Sequence, residues 1–375
     1  MKFGIITHAV HKLKNGAIYG YEPYVREMNL WGNYVDEIII LAPISREEIT
    51  SVEIRYQHPK VKIVSIPSFD CTSLKNLAKS ILVIPKICLS ICKVMKSSDH
   101  IHLRCPGNIG LLGAFIQLFF PSKPKTAKYA GNWDPKSKQP FSYQIQKWIL
   151  SATFFTKKMK VLVYGAWPNQ TKNIIPFFTA SYFQSEIEEI PRKTFTSKVK
   201  LLYAGALTLS KQPLLSVKSA HKLIKEGYNI QLDLYGEGVM RTKVENYIKL
   251  HQLENSVLLH GNANKEQIKN AFQEAHFLIF ISKSEGWPKV VAEAMFWQCL
   301  PISSNVSCIP YMLNSEERGS LVSAEINEKE VSDIIVRYLN NEQVYQKKVI
   351  NAQKWSQKFT LNRFESEIKK ILNND

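Results

Sequence analysis

Two carboxylates eight positions apart, Glu285 and Glu293, frame the stretch SEGWPKVVAEAM at 284–295. The run before it, FLIFIS (277–282), is continuously apolar and reads as a strand buried on both faces. Ser282 to Trp287 then form the loop at its carboxyl end, and Pro288 suits the first position of a helix, where its missing N–H costs nothing. KVVAEAMFWQ continues as that helix. Glu285 is therefore expected at a strand end facing a ligand. The helix start, with its unpaired N–H groups and positive dipole end, suits a phosphate or a sugar hydroxyl. Glu293 falls about two turns into the helix, between apolar neighbours. A carboxylate there needs hydrogen-bond donors, and ligand hydroxyls supply them. Without further context the same pair reads as a loop acid and a local cap.

Such a loop needs a sheet behind it. Near-continuous Ile, Leu and Val runs recur at 2–9, 37–43, 61–67, 100–105, 125–131 and 160–165. Helical stretches such as PYVREMNLWG, LKNLAKSILVIPKICLSICKVMK and FSYQIQKWILSATFF lie between most of them. This alternation predicts a doubly wound α/β fold with parallel sheets. Residues 176–198 break the series with polar residues, Pro176 and Pro191, and the end of this stretch reads as an interdomain connection. Strands resume at 199–205, 230–236, 257–261 and 277–282. The expected organisation is two Rossmann-like domains, 1–190 and 191–355, followed by an amphipathic helix within 356–375. Two such domains enclose a cleft, and ligands of open α/β sheets bind outside the carboxyl ends of the strands.

The 375 residues suffice for two domains, and 49 Lys and Arg against 32 Asp and Glu give a net charge of +17. That balance favours anionic partners, or else is a solvated lysine-rich surface. No zinc-finger spacing, RNP-like strand or basic zipper helix supports nucleic acid as the partner. No apolar run reaches the ~18 to 20 residues of a membrane span, and MKFGIITHAV reads as a first strand rather than a signal peptide. The six cysteines (Cys71, Cys88, Cys92, Cys105, Cys299, Cys308) include no CxxC pair and read as free core thiols, so a reducing, cytoplasmic setting is expected. The helix at 73–96 joins Lys75, Lys79, Lys86, Lys93 and Lys96 to a broad apolar face and carries Pro85 as a kink. It has two readings: an interfacial helix on an anionic membrane surface, or a domain helix packed on the first sheet. GLLGAFIQLFF (110–120) is too short to span and reads as a buried helix.

EGWPKVVAEAMFWQCLPIS resembles the E-x7-E segment of the retaining glycosyltransferases of family 4, also called glycosyltransferase group 1, whose usual form is EGFPLVLLEAMACGLPVI. The match covers Glu285, Gly286, Pro288, Glu293, Ala294, Met295, Leu300 and Pro301, with Trp287 where Phe is common and Gln298 and Cys299 replacing a small pair. YAGALTLSK (203–211) resembles the GRLxxxKG loop, with Lys211 at the matching spacing from Gly205 and Ala206 in place of the usual Arg. DLYGEG (233–238), with Gly236, resembles the xxGxG turn, and LLHGN (258–262) the VxFxG strand end.

The resemblance implies the two-domain fold termed GT-B, whose C-terminal helix returns to the first domain. It implies transfer of a hexosyl or other sugar, with retention, from a nucleotide diphosphate to a hydroxyl acceptor. Carried over, Glu285 faces the transferred sugar and Glu293 the ribose. Gly205, Gly236 and Gly286 line the donor, the backbone amides of Trp287, Lys289 and Val290 sit by the sugar and phosphates, and Lys211 neutralises the leaving diphosphate. Breaking the anomeric bond builds oxocarbenium character on the sugar and negative charge on the phosphate. A lysine and a helix start answer that charge, so no metal or cofactor is expected; GNWD at 131–134 has only one acid. In the first domain Gly16, His102, Arg104, Asn132 and Asp134 are acceptor or cleft candidates, Gly16 reading equally as a turn and His102 as a core histidine. No carboxylate there stands out as a nucleophile, which favours front-side attack. The expected acceptor is a glycan, carried on lipid, of a lipopolysaccharide, capsule or exopolysaccharide, which would place the enzyme peripherally on the inner face of the plasma membrane. A same-fold sugar-nucleotide epimerase and a non-catalytic nucleotide-sugar-binding protein are the other readings, the latter favoured by Ala206.

Overall fold

The six apolar runs of the first half become parallel strands, joined by a seventh, Ile174–Phe177. Their spatial order is Ile174–Phe177, Met159–Tyr164, Lys125–Tyr129, His100–Cys105, Lys2–Ile6, Glu37–Ser45, Val61–Ile66. Numbered along the chain, this is the order 7-6-5-4-1-2-3, which reverses between Lys2–Ile6 and His100–Cys105. The computed structural model describes residues 1–50, 52–67 and 74–373, with the side chains of 74–82 left out. Cys71, Lys75 and Lys79 of the sequence reading lie outside the described residues or side chains.

Helices Leu74–Ser97, Asn108–Ile116 and Phe141–Ser151 pack side by side on one face of this sheet. Ile87, Ile91, Val94 and Met95 join Ile6, Leu41, Leu103 and Ala127 in one buried cluster. The described half of the first of these helices therefore directs its apolar face onto the sheet, the domain-helix reading of the two. Cys92 on it is exposed and Cys88 half-buried, while Cys105, Cys299 and Cys308 are buried. Two helical expectations fall short. FSYQIQKWILSATFF stops at Ser151, and GLLGAFIQLFF ends in a 3-10 turn, Gln117–Phe119, that leaves Phe119 in solvent.

The carboxyl end of Glu37–Ser45 carries a small extension, His11–Lys14, Ala17–Tyr21 and Glu53–Arg55. Asn15 and Gly16 have φ of 51° and 77°, the left-handed pair that closes a two-residue hairpin. Gly16 is thus the tip of a hairpin, and no atom lies within 4 Å of where its Cβ would be. It is a turn rather than a lining of the strand-end loops.

In the second half the strand order is Val257–Gly261, Ile230–Tyr235, Val199–Ala204, Phe277–Phe280, Leu300–Ser304, Ser320–Val322, all parallel. Along the chain this is 3-2-1-4-5-6. Val217, Leu223, Val244, Ile248, Val331 and Ile335 on the flanking helices pack with Leu201, Leu232, Ile279 and Ile302 of the strands.

The chain divides into two units, Met1–Phe177 with Phe364–Asp375, and Phe178–Arg363. The first boundary lies ahead of the expected 190/191 because the polar stretch belongs to the second unit. There the Lys193 ammonium donates to the carbonyls of Phe272 (2.9 Å), Ala275 (2.6 Å), Trp297 (3.2 Å) and Gln298 (2.9 Å). It binds the carboxyl ends of two helices at once, where a cation is favoured. The second boundary is 363/364 rather than 355/356. Within the first unit the Phe364 ring meets Phe177 at 5.4 Å and the Lys160 ammonium donates to the Ile371 carbonyl at 2.8 Å. Among the described residues no helix is long and apolar enough to cross a membrane.

Candidate functional site

The second sheet reverses its order between Val199–Ala204 and Phe277–Phe280, and a switch of this kind opens a crevice at the carboxyl ends of the two strands. From the first strand the chain passes through Gly205 and Ala206 into a 3-10 turn, Leu209–Lys211. From the second it passes through Ser282 to Pro288. The two loops are joined twice. The Lys283 amide donates to the Ser210 carbonyl at 2.9 Å, and the Lys211 ammonium donates to Glu285 Oε1 at 2.6 Å. The pair is largely enclosed, with side-chain exposures of 27% and 10%. Phe280 lies under the ammonium at 4.8 Å, and Gln212, in left-handed backbone next to it, anchors its amide on the Ala324 carbonyl at 2.8 Å. Burial, and then the Glu285 charge, raise the Tyr203 phenol above its ordinary range, and its hydroxyl donates to the Ala206 carbonyl at 2.9 Å.

Beside this pair three strand ends meet backbone to backbone. The Gly205 amide donates to Tyr235 O at 2.9 Å, and the Gly236 amide to Gly261 O at 2.7 Å. Gly236 has φ of 135°, and a Cβ on it would stand 2.0 Å from the Gly205 carbonyl oxygen. Only glycine allows that approach.

The helix after the Glu285 loop runs Lys289–Phe296, with Pro288 just ahead of it as its cap. It starts one residue later than the sequence suggests, so Glu293 is little more than one turn in. The amides of Lys289 and Val290 lie in its first turn, where no carbonyl of the helix can accept from them. The Gly286 carbonyl is held by Ser307 Oγ (3.1 Å) and Cys308 Sγ (2.9 Å). The Trp287 ring is buried against Trp355 (6.2 Å) and Phe359 (5.7 Å), which anchors the loop from below. Glu293 accepts a hydrogen bond from Ser181 Oγ. With Lys289, Thr179, Tyr182 and Ser356 it lines a small pocket. Burial and the Glu293 charge together raise the Tyr182 phenol.

In the first unit the sheet also reverses, between Lys2–Ile6 and His100–Cys105. Arg104 sits at the carboxyl end there, paired with Glu27 at 3.2 Å and stacked over Tyr24 at 5.2 Å. His8 follows the neighbouring strand. Its ring lies against Gly107, and burial and the Arg104 charge hold the imidazole below its ordinary range, so it is neutral at pH 7. Of the two readings of His102, the structure shows the core histidine and not the cleft residue. It is mid-strand and fully buried, its Nδ1 2.8 Å from Thr126 Oγ1 and its ring packed on Trp31 and Phe3. Desolvation pushes its pKa well below the usual value. Residues 102 and 104 share one face of the strand, but 102 lies mid-strand against Trp31 and Phe3 while 104 lies at its carboxyl end. Asn132 and Asp134 hold their own turn: Asn132 Oδ1 accepts from the Asp134 amide at 2.9 Å, and Asp134 Oδ1 from the Lys136 amide at 2.8 Å.

Residues 185–355 match the family model described as glycosyl transferases group 1. The chain carries a glycosyltransferase group 1 domain. Protein CapJ of Staphylococcus aureus is 23% identical over 285 residues, 71% of this chain and 70% of that protein. The poly(glycerol-phosphate) alpha-glucosyltransferase of Bacillus subtilis is 22% identical over 215 residues, 57% of this chain but only 31% of that longer protein. Two solved structures share the fold over 100% of this chain: HepE of Anabaena in complex with UDP (TM-score 0.68, 13% identity, 99% of that chain) and a sucrose-phosphate synthase of Thermosynechococcus elongatus (TM-score 0.68, 14%, 98%). The fold is therefore GT-B.

The group 1 domain holds Lys211 and Glu285 on the two loops and Glu293 on the helix described above, and Ala206 is exposed at the mouth of the first loop. Sequence reasoning passes over Ser181, Lys193 and His8. The last had a signal, as THAV follows the first strand directly. Ser181 had none, because its bond to Glu293 spans 112 positions of chain.

Proposed function

We propose that the chain is a retaining transferase that moves a sugar from a nucleotide diphosphate to a hydroxyl of a lipid-borne glycan acceptor during synthesis of a surface polysaccharide. The observation that carries the reading is the Lys211–Glu285 pair, which joins two loops at the switch point of a group 1 domain. The donor diphosphate takes the place of Glu285 beside the Lys211 ammonium and meets the free amides of Lys289 and Val290. Glu285 then turns to the sugar, while Glu293, oriented by Ser181, accepts from the ribose hydroxyls. The backbone at Gly205, Gly236, Gly286 and Trp287 supplies the close walls. The bond from the anomeric carbon to the phosphate oxygen breaks, and the acceptor oxygen bonds the same face of that carbon. The acceptor proton passes to the departing phosphate. Charge develops on the phosphate where a lysine and a helix start already point, so the step calls for no metal. Solved relatives of the fold hold UDP and UDP with glucose, which supports a uridine donor.

A thermal-shift screen over nucleotide sugars, read together with nucleotide diphosphate release, tests this. A selective rise in melting temperature with slow release is the expected result and names the donor. Absence of any shift sinks the reading. Tight binding with no release or transfer to any hydroxyl acceptor instead identifies a binding protein.

Ala206 offers an independent check. Its side chain is exposed beside the Lys211 loop, and the family usually has Arg there. Ala206→Arg is expected to tighten UDP binding about tenfold through one charge-assisted contact with the diphosphate. Isothermal titration of both forms measures it, and equal affinities would show that the diphosphate lies elsewhere.

A further inference from the structure

We infer that the amino-end face of the first sheet is a docking surface for an anionic lipid bilayer, built from ring side chains at the ends of two adjacent helices and ringed by lysines. This goes beyond the proposed function, and its evidence comes from the first unit alone. Residues 83–160 carry thirteen Lys and Arg against two acids, Asp99 and Asp134, leaving 36 against 30 for the rest of the chain. Most of the net +17 is therefore carried by about a fifth of the sequence, of which Lys125 and Lys128 are buried and Arg104 is paired with Glu27.

The topology brings the ends of this segment together. Helices Leu74–Ser97, Asn108–Ile116 and Phe141–Ser151 each run back from a strand's carboxyl end and finish at the amino ends of the strands. The Lys123 ammonium ties the turns there by donating to Met95 O (2.8 Å) and Lys96 O (2.7 Å), and the Lys125 amide donates to Lys158 O at 2.8 Å. At this end Phe119 is 80% exposed, Phe154 78% and Trp148 62%. Trp148 and Phe154 both contact Phe155, at 5.9 and 5.4 Å, so the exposed rings on and just past the last helix form one patch. Lys96, Lys157 and Lys158 are exposed around them, with the Lys157 ammonium 5.9 Å from the Phe154 ring.

A single exposed Phe needs no explanation, but a group of them at one end of packed helices does. Rings of Phe and Trp insert at the headgroup boundary, and lysines beside them bind anionic headgroups. A second copy of the chain is disfavoured, since it would set two strongly positive segments against each other. Single-stranded nucleic acid stacks its bases along a groove, whereas these rings project from helix ends.

The test uses the full chain in co-sedimentation with vesicles of phosphatidylcholine alone and with phosphatidylglycerol added. Binding to the anionic vesicles is expected, weakening with salt. The Phe119→Ser, Trp148→Ser, Phe154→Ser triple variant should lose about a hundredfold in partition, and Lys157→Glu, Lys158→Glu should weaken binding and flatten its salt dependence. Melting curves like the wild type's show that the variants fold. Equal partition of wild type and triple variant overturns the inference. So does a wild-type dimer that the triple variant breaks without any vesicle binding, or an oligonucleotide that binds where vesicles do not. None of these results touches donor binding, which the nucleotide-sugar screen reads separately in the second unit.

Discussion

Lys211→Met and Glu285→Gln are each expected to lower kcat for sugar transfer by about a hundredfold to a thousandfold, the cost of removing one preorganised group aimed at developing charge. The two losses should differ in kind. On the proposed function Lys211 meets the diphosphate in the ground state and more strongly as the anomeric bond breaks, so its removal should raise the donor Kd as well as lower kcat. Glu285 is held by Lys211 at 2.6 Å, and on the proposed function the donor releases it to the sugar. Glutamine at 285 keeps the shape and removes the charge, so donor affinity stays within a few-fold while turnover falls. If the pair acts as a unit, the double variant loses little more than the worse single one. Titration of donor binding and single-turnover kinetics on the four forms give the cycle. Unchanged turnover in Glu285→Gln would remove this carboxylate from the chemistry.

The Glu285 loop was legible because an unbroken apolar run, a proline and a helix with a half-buried acid follow one another within twenty residues. What escaped has particular physical causes. No strand is read from the sequence after 277–282, yet LPISS is one, paired on both sides. Ser303 and Ser304 are fully buried and donate to the Phe280 and Ser282 carbonyls at 2.7 and 2.5 Å, so hydroxyls replace apolar side chains in the core. Ile174–Phe177 contains Pro176, a poor strand residue except at a sheet edge, and it is an edge strand. The His11–Tyr21 hairpin carries an Asn-Gly signal that the search for helices passes by. The overrun of the helix past Ser151 arises because the apolar spacing continues into Phe154 and Phe155 with no glycine or proline to stop it. Those two rings are exposed. Periodicity shows that residues share a face, and only the packing of neighbours decides whether that face is covered.

Gly236→Ala should be the most destabilising small substitution in the second unit, by about 3–5 kcal/mol. Two costs add. At φ of 135° an L side chain is strained whatever surrounds it. The added Cβ would also stand 2.0 Å from Gly205 O and 2.8 Å from Gly205 C, backbone atoms with no rotamer to yield. Neither side can move freely, because the Gly236 amide is bonded to Gly261 O, the Gly205 amide to Tyr235 O and the Leu207 amide to Glu237 O, at 2.7, 2.9 and 2.9 Å. Relief requires breaking that lattice at the floor of the Lys211 loop. Gly227→Ala is the matched control, with φ of 88° but no atom within 4 Å of the new Cβ; strain alone should cost about 1–2 kcal/mol there. Melting curves should place Gly236→Ala about 10 °C below the wild type and Gly227→Ala only a few degrees below. If Gly236→Ala melts no lower than the control, the strand ends are not locked together. The loops that carry Lys211 and Glu285 would then be free to shift on donor binding. If it melts far lower yet its residual folded fraction still binds UDP normally, the glycine serves the fold alone and the donor does not approach the backbone at that turn.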